Sequence, residues 1–427
     1  MIDFTDFAFS FFMRILYLTH YFPPEIGAAS SRAYSMVRWL ARFGHEVSVL
    51  TGFPSYLMED MPESYRGRRW MQEDMDGMVV YRAWRYTSSS RSNWRRMANY
   101  LSFVASAWWY GRRLSGPFDV IVVSSPPLFL GLAGVALSRY WHVPMVLEVR
   151  DIWPETAVDV GVFKAGSLME RIWSHLADFI YHRAAGVVAV TRDIHARLQA
   201  RGVPAELVHF VPNGVDLELV DRSAPSARKR LGLEDKFVAL FAGLIGVMQN
   251  VVSVVEAAAL LQENEQIHFL IVGGGARREE VAQRIADLKL SNVTLLPPQP
   301  REEMPGILNM ADVCLATLAK DVRGAVPYKL LEAWAYEKPI VAAVGDEGGS
   351  LVEECQGGIS VPGDDPQALA AAILQIFTDR KSGRVWGRNG RRCIEERLNR
   401  EVLTRKMESV LLAVVNSAEE APDVSKS

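Results

Sequence analysis

Short apolar runs recur along this chain, and each is followed by a longer stretch with helical periodicity. In the first half the runs are "RILYLT" (14–19), "EVSVLT" (46–51), "MVVYRAW" (78–84), "DVIVVSS" (119–125), "PMVLEV" (144–149), "GVVAV" (186–190) and "LVHFVP" (207–212). One intervening helix is "SSRAYSMVRWLARF" (30–43), closed by Gly44. Continuous apolar runs of this kind suit strands buried on both faces. Strand–helix–strand alternation therefore predicts α/β architecture, with a parallel sheet and right-handed crossovers.

The pattern restarts after the polar segment "DRSAPSARKRLGLEDK" (221–236). The second series is "FVALFAG" (237–243), "IHFLIVGGG" (267–275), "VTLLPP" (293–298), "DVCLATL" (312–318), "PIVAA" (339–343) and "GGISVP" (357–362). The expectation is two Rossmann-like, doubly wound domains facing across a cleft. The first spans 13–212 and the second 237–383, with a linker at 213–236. A helix over 384–415 is expected to cross back to the first domain, and 416–427 to be a disordered tail. Residues 1–12 read as an N-terminal extension, with Met13 an alternative initiator and a short membrane-touching segment the competing reading. A secretory signal would begin with basic residues, whereas Asp3 and Asp6 stand there.

Bulk properties exclude several classes. The net charge of −3 over 427 residues does not suggest a dedicated nucleic-acid binder. No apolar run reaches the roughly 20 residues that span a bilayer. Cys314, Cys355 and Cys393 form no C-x-x-C, which favours a reducing compartment over a disulfide framework. No H-E-x-x-H or Cys/His cluster suggests a metal, and no Walker sequence or G-x-S-x-G is present.

Ligands of wound sheets bind beyond the carboxyl ends of the strands, so residues just after strands carry the functional argument. "HYFPPEIGAASSRAYS" (20–35) offers Gly27 and a helix capped by Ser30 or Ser31, suited to an anion or merely an ordinary turn. "LEVRDIWPETAVDVG" (147–161) ends a strand with Glu148, Arg150, Asp151 and Glu155. Asp151 suits a base or hydroxyl partner and Arg150 an anion clamp, against the alternative of a structural salt-bridge cluster. "FAGLIGVMQN" (241–250) places Gly243, Gly246 and Gln249 after the second domain's first strand, with Asn250 as an alternative helix cap. "IVGGGARREE" lacks the third glycine of a dinucleotide fingerprint and reads as a tight turn. "EDMDG" (73–77) reads as a solvated turn rather than a metal pair.

Within "RGAVPYKLLEAWAYEKPIVAA" (323–343), Pro327 starts a helix on which Lys329 and Glu332 share one side of the first turn. No acid stands between Gly77 and Phe118, where Arg82, Arg85, Arg91, Arg95, Arg96, Arg112 and Arg113 mix with Trp84, Trp94, Trp108 and Trp109. That mixture suits docking on an anionic membrane surface, a polyanion or a partner protein, while a buried helix with arginine ends is the plainer reading.

Together these segments, with "LARFGHEVSVLTGFP", "EVRDIWPE", "VPNGVD" and "PYKLLEAWAYEKPIVAA", resemble the retaining family 4 glycosyltransferases of GT-B fold over about residues 13 to 410. The likeness extends to a bacterial subgroup that builds O-antigen, capsule and exopolysaccharide and includes N-acetylfucosamine-type transferases. The resemblance implies a nucleoside-diphosphate sugar, a UDP-sugar, held by the second domain with no tightly bound cofactor or metal. Glu332 would accept from the ribose hydroxyls. Lys329 would neutralise the diphosphate with backbone N–H groups near Gly27 and Gly246. The base would lie against "LLPPQ" near Pro297 and Pro298. Gly243, Gln249 and Tyr328 complete the implied donor site, and Asp151 and Arg150 the implied catalytic one. The implied acceptor is a polyprenyl-diphosphate-linked saccharide. Arg95, Arg96, Trp108, Trp109, Arg112 and Arg113 would contact it or the cytoplasmic face of the plasma membrane, where other polysaccharide-assembly enzymes work.

Three departures stand out. The first of the family's paired glutamates falls on Gly324. The usual donor-loop cations are Leu244 and Gln249, and a customary serine is Tyr328. Arg150 or Arg323 would then share the compensation with Lys329. A sugar-nucleotide epimerase and a non-catalytic partner subunit of the same architecture are the alternative functions.

Overall fold

A computed structural model describes residues 12–25, 27–54, 63–87, 93–159, 164, 166–320, 322 and 324–420. Arg91 and Arg323 lie outside these, as do most of the expected extension and the last seven residues of the expected tail. The chain divides into two compact units. One runs to Pro212 and resumes at Arg400; the other is Asn213–Asn399.

The first unit's sheet comprises β1 (Arg14–Thr19), β2 (Glu46–Gly52), β3 (Trp70–Met75), β4 (Met78–Ala83), β5 (Val120–Ser125), β6 (Met145–Val149), β7 (Gly186–Ala189) and β8 (Val208–Phe210). Their order is β3-β4-β2-β1-β5-β6-β7-β8. Every pairing is parallel except β3 with β4. The chain leaves β1 toward β2 on one side and β5 on the other, so the switch point lies between β1 and β5. One face is covered by helices Asn93–Gly111, Leu130–Trp141 and Leu168–Tyr181, whose Phe103, Leu130 and Ile180 join one apolar cluster. The other is covered by Ala28–Arg42 and Arg400–Glu420, through Met36, Leu40, Leu403, Met407 and Leu411.

The all-parallel expectation needs one correction. "EDM" is strand, not turn: only Asp76 and Gly77 turn, both with positive φ. The edge strand escapes an apolar-run search because it is half exposed. Trp70 holds it by stacking on Tyr81 and Tyr110, at centroid distances of 5.5 and 4.5 Å.

The second unit's strands are β9 (Phe237–Ala242), β10 (Ile267–Val272), β11 (Val293–Leu296), β12 (Val313–Thr317), β13 (Ile340–Ala343) and β14 (Gly358–Val361). They run parallel in the order β11-β10-β9-β12-β13-β14, which puts the switch point between β9 and β12. The segment read as a linker is partly ordered into this unit: Arg228 pairs with Asp312 at 2.5 Å. Helix Arg380–Cys393 also stays here, and the return begins at Arg400 rather than near 384. Its buried Gly390 lets it approach Trp334, whose indole donates to the Gly357 carbonyl at 2.9 Å, and its Gly387 lets it approach the Glu337 carbonyl. Residues 416–420, expected in the tail, continue the helix to Glu420.

Cys355 and Cys393 are disulfide-bonded, with Cα atoms 5.7 Å apart, contrary to the reading of three reduced thiols. Motif spacing cannot show a pair formed when two helix ends, 38 residues apart, meet in the fold.

Candidate active site

The second unit brings several predicted residues to its switch point. Helix Tyr328–Ala335 starts after Pro327, which has the extended backbone of an N-cap. Leu330, Leu331 and Trp334 face the core, which leaves Lys329 and Glu332 on the half-buried side. Lys329 lies against the loop after β9: a Cβ on Gly243 would stand 2.7 Å from both its Cε and Nζ. Its Nζ is 4.9 Å from the Phe241 ring centroid. Burial lowers the lysine's pKa, with Glu332 opposing, and burial raises that of Glu332, with Lys329 opposing. Each charge is therefore held partly desolvated, so an anionic ligand at Lys329 would gain more than at a solvated lysine.

The glycines of the loops after β9 and β10 do different work. Gly243 (φ +135) and Gly273 (φ +156) follow β9 and β10. A Cβ on Gly273 would fall 1.9 Å from the Gly243 carbonyl oxygen, and one on Gly275 2.4 Å from that of Ile245. The two loops are joined by Gly243 N–H to Val272 O and Ile245 N–H to Gly274 O, both 2.8 Å. "GGG" is thus a backbone seam supporting the predicted loop, a role the turn reading missed. Among the described residues the N–H groups of Leu244 and Gly246 take no backbone carbonyl. A Cβ on Gly246 would meet Gln249 Oε1 at 2.6 Å, so Gln249 folds back over Gly246. Exposed Pro298 packs over Gly274. Asn250 does not cap the next helix; its side-chain amide donates to Asp364.

In the first unit, Gly27 (φ +145) is itself the N-cap of Ala28–Arg42, displacing Ser30 and Ser31 from that role. Space for a Cβ around it is open.

The charges after β6 separate into two kinds. Glu148 is structural: fully buried, it pairs with Arg32 at 2.7 Å and accepts from Ser124 at 2.8 Å and Tyr17 at 3.3 Å. Burial opposes its ionisation, but Arg32 and Arg150 hold its pKa down at about 2. Glu155 is bound to Arg201. Arg150 donates from Nε to the Ser125 carbonyl at 3.3 Å. Beside it, burial raises the Asp151 pKa, with Arg150 opposing. Among the described residues neither Asp151 nor Arg150 forms a salt bridge, although the Arg150 charge acts on both Glu148 and Asp151.

The arginine-rich segment also divides. Arg82 and Arg85 are buried, paired with Glu73 at 2.5 Å and Glu25 at 2.7 Å, so they belong to the core and not to a surface patch. Their partners lie outside the acid-free stretch, which is why local composition misled. Arg95, Arg96, Arg112 and Arg113 sit at the ends of Asn93–Gly111. Arg95 lies over Trp94 at 5.2 Å, and Arg112 and Arg113 over Trp109 at 4.5 and 3.7 Å. Arg112 also lies 5.8 Å from the half-buried Trp108. Arg96 and Trp109 are exposed, and Trp94 is 63% exposed. On the same sheet face, Leu168–Tyr181 exposes Leu168 (74%), Met169, Ile172 and Phe179. Among the described residues no helix is long and apolar enough to cross a membrane.

Known proteins share this organisation. The "Glycosyl transferase 4-like domain" family matches residues 27–214, and "Glycosyl transferases group 1" matches 223–393. The "Putative colanic acid biosynthesis glycosyl transferase WcaI" of Escherichia coli (strain K12) is 29% identical over 382 residues, covering 86% of this chain and 92% of that protein. The "Probable glycosyltransferase WbjE" of Pseudomonas aeruginosa is 28% identical over 264 residues, covering 60% and 66%. Among solved structures, Anabaena Alr3699/HepE with UDP and glucose superposes with a TM-score of 0.70 at 19% identity, covering 94% of this chain and all of that one. WaaG, a glycosyltransferase involved in lipopolysaccharide biosynthesis, gives 0.63 at 17% identity, covering 93% and 99%.

Proposed function

The chain belongs to the group 1 glycosyltransferases, with a family 4-like first domain and the GT-B fold, and on that premise we propose that it transfers an acetamido-deoxy hexose from UDP to a polyprenyl-diphosphate-linked saccharide with retention. The supporting observation is Lys329, desolvated against Gly243 at the switch point, with Glu332 one turn further along the same helix.

In this reading Lys329 stabilises the diphosphate as negative charge builds on the departing oxygen. The N–H groups of Leu244 and Gly246 supply further donors, while Glu332 accepts from the ribose hydroxyls. The bond from the sugar's anomeric carbon to the β-phosphate oxygen breaks. The acceptor oxygen bonds to that carbon from the same face, and its proton passes to the leaving phosphate oxygen. Asp151 and Arg150 orient the acceptor or the reacting sugar. The protein's own cation and N–H groups serve the diphosphate without a tightly held metal.

The exposed apolar faces of Asn93–Gly111 and Leu168–Tyr181, edged by Arg95, Arg96, Arg112 and Arg113, suit peripheral docking at the cytoplasmic face of the plasma membrane. A lipid-linked acceptor would be met there. WcaI and WbjE carry glycosyltransferase names, the first tied to colanic acid, and surface polysaccharide assembly is the corresponding setting for this chain.

The test is a screen of nucleotide sugars by thermal shift, followed by product analysis with a synthetic polyprenyl-diphosphate sugar. UDP-sugars should raise the unfolding temperature, since a ligand specific to the folded state stabilises by mass action. A response confined to another nucleotide would sink the UDP assignment. Conversion of the donor without acceptor would favour an epimerase.

A further inference from the structure

The loop after β9 is held from its far side by a residue that no motif points to. Asp364 follows β14 in the left-handed region (φ +58), and Asn250 ends the β9 loop in the same region (φ +35). Neither residue is glycine, so each conformation is paid for by local bonds. The Asn250 side-chain amide donates to Asp364 Oδ1. The Lys320 backbone N–H donates to Asp364 Oδ2 at 2.9 Å. One carboxylate thus joins the loops that follow β9, β12 and β14.

The neighbouring bonds run the same way. Thr317 Oγ1 donates to the Gln249 carbonyl at 2.5 Å, and Ala319 N–H to that of Met248 at 2.8 Å. Gly363 lets the turn close, since a Cβ there would lie 2.9 Å from the Leu318 carbonyl oxygen. Ser253 anchors the loop's other side by donating from Oγ to the Asn250 carbonyl at 2.8 Å.

We propose that Asp364 is a positioning residue for sugar transfer: through Asn250 and Lys320 it fixes the Gly243–Asn250 loop in the shape that receives the donor diphosphate. The inference rests on the donor assignment to this loop. A loop set in advance spends less binding free energy on ordering. Asp364 acts through Asn250 and Lys320, to which it is bonded.

The exchange of the two partners tests this. N250D sets two carboxylates against each other, and D364N leaves at 364 one acceptor oxygen where Asn250 and Lys320 each need one. In the double variant N250D/D364N, the amide introduced at 364 accepts from Lys320 and donates to the carboxylate introduced at 250. UDP affinity of the full-length protein is measured by calorimetry, with the unfolding temperature of each variant.

N250D should weaken UDP binding about tenfold, the weight of one hydrogen bond to a charged group. The double variant should return to within about threefold of wild type. Unfolding temperatures should change little in all three. A double variant no better than N250D, or N250D binding UDP like wild type, overturns the role of Asp364 and leaves the donor assignment standing. A wild-type protein that does not bind UDP overturns both. Should N250D not fold, D364N and the double variant carry the same comparison.

Discussion

Gly273→Ala perturbs the seam beneath the Gly243–Asn250 loop without touching a charged residue. The new methyl would stand 1.9 Å from the Gly243 carbonyl oxygen, where carbon atoms essentially never come closer than 3.0 Å. The two backbones must therefore part by about 1.1 Å. Side-chain rotation cannot absorb this, because both groups are main chain and the flanking bonds at 2.8 Å pin them. Alanine at φ +156 also adds backbone strain of about 1–3 kcal/mol. Displacement would carry Gly243 relative to Lys329, which packs on it. A misplacement of about 1 Å costs on the order of 100-fold in rate, or about 2.7 kcal/mol of transition-state stabilisation. We expect kcat/KM for sugar transfer to fall about 100-fold in protein that still folds. Gly274→Ala is the milder comparison, because there the methyl meets the exposed Pro298 ring at 2.8 Å and no main-chain atom. It should cost less than about tenfold. Folded Gly273→Ala retaining activity within about threefold of wild type would refute the coupling of seam to site.

Other outcomes follow from the charges. The Glu148 pKa is depressed from 4.5 to about 2 in the folded state, so its contribution is complete above about 4.5 and is lost as pH falls from there toward 2. The difference is worth about 3 kcal/mol; urea unfolding should show E148Q less stable by about that much at pH 7, with the gap narrowing at low pH. Lys329→Gln should weaken UDP binding at least tenfold, as expected for a lost charge-assisted bond. It should also remove an alkaline decline in affinity that begins below the usual lysine range, because burial lowers this ammonium's pKa. Replacing Trp94 and Trp109 with serine should reduce sedimentation with anionic lipid vesicles several-fold while leaving UDP affinity unchanged; equal sedimentation would remove that helix from the docking surface.

Much of the fold was legible because strands covered on both faces must be uniformly apolar, as "DVIVVSS" and "IHFLIV" are. β3 was not, since an edge strand shows its polarity to water. Lys329 and Glu332 were legible from their spacing on one helical turn, but their shared desolvation depends on Gly243, distant in sequence. Arg82 and Arg85 looked like surface cations because Glu73 and Glu25, which neutralise them, are supplied by other strands and loops. Glu148 was visible as a charge ending a strand, yet its structural role follows from Arg32, brought in by the first helix. Asp364 left no local signal at all. Its importance lies in the loops it joins, and these meet only once the sheet has formed.

The first unit is interrupted in sequence and the second is not. A ribosome delivers residues 13–212 first, yet the apolar side chains of Met36, Leu40 and Val49 wait for Leu403, Met407 and Leu411 to cover them. Residues 213–399 arrive in between and already contain their own complete core. The order of completion during synthesis is therefore the reverse of the order of translation: the second unit can close before the unit that began first. A chain stopped before Arg400 would keep a folded second unit attached to a first unit with one face of its sheet covered by Ala28–Arg42 alone.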